Sequence, residues 1–382
     1  MRMFSDASCD VVDPWLRRAY TLAERGRGAT SPNPVVGCVL VRDEGAVGEG
    51  WHARCGGPHA EVAALAAAGE RARGATAYVT LEPCNHTGAT PPCTEALIAA
   101  GVATVVVGMP DPNPDVTGGG AARLREAGIE VRFASDPKPF ERQNEAWIRH
   151  VTCGMPWVRV KTALTLDGHA SLAPGVRARL TGPEAQRLTM RLRAAADAVL
   201  VSAATVDADD PLLTVRDADG ASAARQPLRV ALSRTIPPAP GARMFAQEGA
   251  SLVLMGDTAH ADALAPLRDA GIHVETYVAD GGITAALGVL GARGVTSVLV
   301  EAGPGLLTAL VGEGLADEVV IYHAGGFAGD VAPAVFLGPA SVRCGEFASA
   351  FVAVEAGVVG RDAVTVWRPA AAGAQSAPHA AG

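Results

Sequence analysis

The sequence predicts a two-domain α/β protein, and three observations carry that expectation. A chain of 382 residues has the length of two ordinary domains. Apolar runs of strand length alternate with helix-patterned stretches, the mark of a largely parallel sheet with helices on its faces. With 49% hydrophobic and 19% charged residues, both halves can bury a core.

Asp13-Pro14 is a helix start, an N-cap side chain followed by proline at the first helical position. The helix should run to about Gly26, with Leu16, Ala19, Tyr20 and Ala23 on one face. A Pro/Asn-rich loop, Ser31-Pro32-Asn33-Pro34, precedes an apolar strand from Val35 to Val41, and a short strand near Val47 leads to Trp51-His52. His59 then opens a helix through Leu65. The strand Ala75 to Leu81 delivers Glu82-Pro83-Cys84, and Cys93 falls in the first turn of a helix ending near Ala100. That placement favours a Cys93 thiolate at the positive helix end. A strand at Thr104–Met109, a helix near Ala121–Ala127 and a strand at Ile129–Phe133 complete the first unit. Ser135 to Met155 reads as one exit helix and linker. Strands then recur near Val158–Ala163, Ala198–Ser202, Leu228–Leu232, Ser251–Met255, Ser297–Glu301 and Glu318–Tyr322. The tail from Pro369 lacks periodicity and reads as disordered.

Composition excludes several classes of function. A net charge of −8 with no basic run argues against nucleic acid or an anionic membrane as partner. Met1 to Asp10 has no apolar core region, so no signal peptide is expected, and no apolar run has membrane-spanning length. Seven cysteines, an odd number at scattered spacings, do not form a disulfide framework and fit a reducing cytoplasm.

The chemistry concentrates between His59 and Cys93. One imidazole and two thiolates (His59, Cys84, Cys93) make three ligands for tetrahedral Zn2+, leaving the fourth position for water. Zinc lowers the pKa of bound water toward neutrality, and Glu61 can take the water proton and pass it to a departing amine. His-x-Glu followed by Pro-Cys and a second Cys is the pattern of zinc-dependent nucleobase deaminases. Two plainer readings stand beside it. One is a closed zinc site with a fourth ligand from Cys55, His52 or His86; the other has no metal, and His59 merely caps its helix. Nucleic-acid editors carry Cys-x-x-Cys, whereas eight residues separate Cys84 from Cys93, which points to a small heterocycle as substrate.

Ser31 to Gly37, Gly50-Trp51-His52, His59-Ala60-Glu61, Thr80 to Cys84, Thr90 to Cys93 and Asp111 to Pro114 together resemble the bifunctional riboflavin-biosynthesis deaminase/reductase family. Lys161 to Gly168, Thr205-Val206, Asp209 to Arg216 and Glu301 to Pro304 continue the likeness, which spans about Pro14 to Pro369. The resemblance implies a cytidine-deaminase-like domain (1–153, with linker), a dihydrofolate-reductase-like domain (154–370) and a disordered tail (371–382). It implies deamination of a phosphoribosylated diaminopyrimidinone, then NADPH-dependent reduction of its ribosyl chain, in a dimer or larger assembly. Asn33, His52 and His86 would hold the deaminase substrate. Leu164, Thr205, Asp209, Ser233, Gly303, Pro304 and Gly305 would face the nicotinamide cofactor. Lys161, Arg193, Leu213, Arg216 and Glu301 would face the reductase substrate. There is no G-x-G-x-x-G, so the cofactor site is not a Rossmann one.

The chain departs from the family pattern at four places. Gly175 to Arg179 stands where the family has Gly-Glu-Ser-x-Trp, Leu232-Ser233 lacks the Asp, Gly305 replaces a Thr, and Ala89 replaces a basic residue. The altered 175–179 stretch motivates one alternative, a deaminase-only paralogue in a specialised pyrimidine pathway, and a zinc-stabilised binding protein of pathway intermediates is a second, non-enzymatic one.

Overall fold

The computed structural model describes residues 3, 10–86, 91–113, 119–172, 179–329 and 351–370. The chain divides at Trp157/Val158 into two compact units, Gly291–Thr296 grouping with the first. Ala89, the 175–178 stretch and the 371–382 tail lie outside the described residues.

The first unit is a five-stranded sheet, order β2-β1-β3-β4-β5. Its strands are β1 (Gly37–Arg42), β2 (Gly45–Trp51), β3 (Thr76–Leu81), β4 (Thr104–Met109) and β5 (Glu130–Phe133). The sheet is mixed where sequence alternation suggested a largely parallel one. Asp43 and Glu44 both take positive φ (51° and 61°) in a two-residue hairpin that reverses the chain once. The helix α2 (Ala60–Ala68) is a crossover that keeps the direction of β2, so β3 lands antiparallel to β1. From β3 onward the pairing is parallel.

Both faces of this sheet are covered. Alternate residues Cys38, Leu40, Val79, Val105 and Val107 pack with Ala60, Ala64, Leu97 and Leu124 of α2, α3 (Cys93–Ala99) and α4 (Gly120–Glu126). Leu16 and Tyr20 of α1 (Pro14–Glu24) cover the opposite face with Leu81, Met109, Phe140 and Trp147. The expected cap is formed: Asp13 Oδ1 accepts from the Trp15 and Leu16 N–H groups. The alanine-rich α2 lies unusually close to β2. A Cβ built on Gly50 would sit 2.4 Å from the Ala60 carbonyl, and one on Gly48 would sit 2.3 Å from that of Ala64. Those glycines therefore set the position of His59 and Glu61 at the start of α2.

The exit segment is two helices where one was expected, α5 (Lys138–Gln143) and α6 (Glu145–Cys153), joined at Asn144. Gly154 ends α6 in the left-handed conformation (φ 69°), which glycine adopts without strain.

The second unit is built on a nine-stranded sheet, order β10-β9-β8-β7-β11-β6-β12-β14-β13. The six expected strands are present as β6 (Trp157–Leu164), β7 (Ala198–Ser202), β8 (Leu228–Ser233), β9 (Ser251–Gly256), β11 (Ser297–Glu301) and β12 (Glu318–His323). Three more were not anticipated: β10 (Val274–Tyr277), β13 (Phe351–Val359) and β14 (Asp362–Pro369). β14 runs antiparallel to β12 and β13, so this sheet is mixed at one end. The helices α7 (Pro183–Ala195), α8 (Ala203–Asp209), α9 (Ala261–Asp269), α10 (Gly282–Ala292) and α11 (Pro304–Gly312) connect the strands. Arg229 on β8, in sequence an ordinary surface charge, is fully buried. Its guanidinium donates to the carbonyls of Met244, Gln247, Glu248 and Gly249 at 2.8–3.0 Å.

Candidate active site

A cavity of about 450 Å3 opens in the first unit. The end of β3 supplies Cys84, the start of α2 supplies His59 and Glu61, and α3 supplies Cys93. His59 Nδ1 lies 3.2 Å from Cys93 Sγ and 3.6 Å from Cys84 Sγ, and the Cys93 N–H donates to Cys84 Sγ at 3.4 Å. Zinc–sulfur and zinc–nitrogen bonds of ordinary length give tetrahedral edges of about 3.5 Å. The three donors fit a zinc ion in both spacing and chemistry.

The plainer readings do not fit this geometry. His59 occupies the N-cap of α2, yet its side chain makes no capping bond. Among the described residues the ligand cluster holds three groups and no fourth. His52 is engaged elsewhere: Nδ1 donates to the Pro58 carbonyl at 3.0 Å, so Nε2 accepts from Asn33 Nδ2 at 3.2 Å. Burial pushes His52 below its ordinary pKa and keeps it neutral.

Of the two thiols Cys84 is the acidic one, held at about 4, first by the hydrogen bond from Cys93 and also by that of His59. Cys93 is pushed up, first by its bond to Cys84 and then by burial. A cation shared by both thiols removes that difference, because metal ligation deprotonates both.

Glu61 is 4% exposed, and burial raises its carboxyl to about 7. No guanidinium or ammonium is among the groups acting on it. Asn33 and His86 also line the cavity. Sequence reasoning assigned no role to four further lining residues, Glu82, Asp111, Asn113 and Trp147. Glu82 and Asp111-Pro112-Asn113 stood inside recognised motifs, but nothing local indicated that their loops fold back together. In the structure Glu82 accepts from the Ala121 N–H at 2.8 Å and the Asp111 N–H at 3.4 Å. Trp147 carried no signal at all, lying on α6 far along the chain.

In the second unit the structure joins some expected residues directly. Arg193 on α7 makes a forked pair with Glu301 at the end of β11 (2.5 and 3.0 Å) and donates to the Thr214 carbonyl at 2.8 Å. Leu213 beside it is buried at φ 56°, a left-handed conformation uncommon for leucine. The Lys161 ammonium stands 4.8 Å from the Tyr322 ring centroid; burial lowers its pKa and Glu301 opposes that. Leu164, Ser233 and Glu301 end strands β6, β8 and β11, and Thr205 follows β7 in the first turn of α8. The Thr205 hydroxyl would lie 3.6 Å from a Cβ on Gly303. Ligands of α/β sheets bind at such carboxyl ends. Gly303 offers α11 no side-chain cap, Pro304 carries no N–H to be capped, and a Cβ on Gly305 would meet nothing within 4 Å, so the start of α11 is open. Asp209, at the far end of α8, and the exposed Arg216 and Arg179 are not drawn into the Arg193–Glu301–Lys161 group by any of these contacts.

Residues 12–109 match the cytidine and deoxycytidylate deaminase zinc-binding region, and residues 156–369 match the RibD C-terminal domain. The riboflavin biosynthesis protein RibD of Escherichia coli is 42% identical over 319 residues, 81% of this chain and 86% of that protein. The solved structure of Acinetobacter baumannii RibD superposes with a TM-score of 0.85 at 37% identity, covering 93% of this chain and 98% of that one. A diaminohydroxyphosphoribosylaminopyrimidine deaminase/5-amino-6-(5-phosphoribosylamino)uracil reductase from Thermotoga maritima gives 0.79 at 33% identity, covering 93% and 97%.

Proposed function

The chain belongs to the RibD family of riboflavin-biosynthesis proteins, and from that membership we propose that Glu61 is the proton carrier of its deaminase half, with His59, Cys84 and Cys93 as zinc ligands. The protein is an enzyme with two activities, deamination and NADPH-dependent reduction, in riboflavin biosynthesis. The substrate of the first is a phosphoribosylated diaminopyrimidinone, and the second reduces the ribosyl chain of the deaminated product. The carrying observation is a buried Glu61 at the wall of a cavity that also holds a His/Cys/Cys donor set.

Zinc supplies a Lewis acid that brings water toward ionisation at neutral pH. Glu61 accepts the proton and returns it to the amine that leaves as ammonia. Burial raises the Glu61 carboxyl, which favours its holding the proton between the two transfers. The Asn33 amide and the neutral His52 ring orient the pyrimidine, and His86 stands at the rim for the sugar phosphate. In the second half NADPH supplies the hydride. Lys161, Arg193, Leu213, Glu301 and Arg216 face the phosphorylated substrate, and Leu164, Thr205, Asp209, Ser233, Gly303, Pro304 and Gly305 face the cofactor.

The deaminase-only paralogue and the zinc-stabilised binding protein are not favoured. The RibD C-terminal match runs straight through the altered stretch at 175–179. No helix among the described residues is long and apolar enough to cross a membrane. We assign the protein to the reducing cytoplasm, since the described cysteines are free. We further propose a dimer, because the edge strand β13 exposes Val352, Val354 and Val358 and invites pairing. The test is a coupled assay on the diaminopyrimidinone with zinc and NADPH, following ammonia release and NADPH oxidation together. Both signals are expected, from a species of dimer mass by light scattering. Ammonia without NADPH oxidation rejects the reductase assignment, and a single-chain mass rejects the dimer.

A further inference from the structure

Asn144, at the junction of α5 and α6, stands at the N-cap of α6 but makes no capping bond. An asparagine there ordinarily spends its side chain on the first amides of its helix. Instead its side chain is 109 residues away in sequence, bonded to both backbone groups of Val35. The Val35 N–H donates to Asn144 Oδ1 at 2.9 Å, and Asn144 Nδ2 donates to the Val35 carbonyl at 3.0 Å. Since Val35 offers one donor and one acceptor, the orientation of the amide is fixed. Asn144 is 3% exposed, so neither bond has water as a ready substitute.

This clamp acts on the loop that carries Asn33. The Asn33 N–H donates to the Thr30 carbonyl at 2.8 Å, and its side chain reaches His52 Nε2. The next residue after Val35 takes part as well, because the His52 N–H donates to the Val36 carbonyl at 2.9 Å. His52 Nδ1 then bonds the carbonyl of Pro58, the residue before His59. A continuous hydrogen-bonded chain thus runs from Asn144 through the Asn33 loop to the metal-ligand segment. One turn further along α6, Trp147 forms part of the cavity wall.

We propose that Asn144 is a positioning residue of the deaminase: by satisfying both backbone groups of Val35 it fixes the loop that aims the Asn33 amide at His52 and the pyrimidine. It touches no substrate itself. The inference rests on the deaminase assignment and adds to it the element that holds the substrate-binding loop.

The test is Asn144→Asp in the full-length zinc-loaded enzyme. The substitution keeps the shape and the bond from the Val35 N–H but sets a carboxylate oxygen against the Val35 carbonyl. The catalytic efficiency of ammonia release should fall about 10- to 100-fold, carried mainly by KM. Zinc content should stay at the wild-type level, as should NADPH oxidation on the deaminated product. An unchanged KM with zinc bound overturns the proposal. If both activities fall together, amide exchange in the wild-type protein decides: a slowly exchanging Val35 N–H supports the clamp, and exchange at the rate of an open loop overturns it. A wild-type enzyme that releases no ammonia overturns the deaminase assignment itself, an outcome distinct from wild-type turnover with an indifferent Asn144→Asp.

Discussion

Glu61 and Glu301 are both carboxylates drawn away from bulk water, one in each unit, and their neighbours treat them in opposite ways. Around Glu61 no guanidinium or ammonium opposes burial, and the pull of the His59 imidazole is too small to offset it, so its carboxyl rises to about 7. Around Glu301 burial also pushes upward, but Arg193 and then Lys161 outweigh it and hold the carboxyl below its ordinary value. The first arrangement makes a group that exchanges a proton at neutral pH, and the second makes a permanent anion that orients cations. On the proposed roles the two halves use the same functional group for different work: proton transfer in one, placement in the other.

The sharpest way to break this contrast is to make the same isosteric change in both units. Glu61→Gln removes the proton carrier while leaving the ligand set, so ammonia release should fall about a thousandfold with zinc content unchanged. A loss of less than about tenfold would mean that some other group moves the proton. NADPH oxidation on the deaminated product should be untouched, because the second unit keeps its own site.

Glu301→Gln should produce the smaller and reciprocal effect. It leaves Arg193 and Lys161 as neighbouring cations without their common anion. Reductase efficiency should drop about 100-fold through misplacement of the Arg193 and Lys161 cations, while ammonia release continues at the wild-type rate. The Glu301 side chain is 18% exposed, so the stability lost should lie below the roughly 3–5 kcal/mol of a fully buried broken pair. Thermal unfolding of the variant separates that loss from the kinetic one.

The same contrast explains what was legible in the sequence. The deaminase site is packed into His59-Ala60-Glu61, Pro83-Cys84 and Cys93, so ligand chemistry and spacing announced it. The alternation of apolar runs announced six strands of the second unit and all of the first. What the sequence hid was whatever depends on distant partners. Arg229 looks like a surface charge until four carbonyls from 244–249 close around it. The edge strand β13 escaped notice because it is largely exposed and so lacks the buried-face alternation that marks a strand. Trp147 and Asn144 looked like parts of a linker helix, because their roles arise only when α6 packs beside the β1 entry loop. The reductase residues were placed by resemblance, since Arg193, Thr214 and Glu301 come from three separate stretches with no local pattern to join them.

A third carboxylate extends the comparison to pH. Glu318 is 2% exposed and lies between Arg159 and Arg368. Burial pushes it up, yet the two guanidiniums outweigh burial and hold its carboxyl at about 2. A folded-state pKa depressed below the unfolded value contributes stability that is fully present above about pH 5 and is lost as pH falls toward 2. The contribution at neutral pH is on the order of 3 kcal/mol. Glu318→Gln forfeits it, so the variant should unfold at lower denaturant concentration at pH 7. Its deficit against wild type should then narrow as the pH is lowered from about 5 to 2, because over that interval Glu318 takes up a proton in the unfolded wild-type chain while staying largely ionised in the folded one. A deficit that stays constant across the range would mean that packing around Glu318, and not its charge between Arg159 and Arg368, is what the fold relies on.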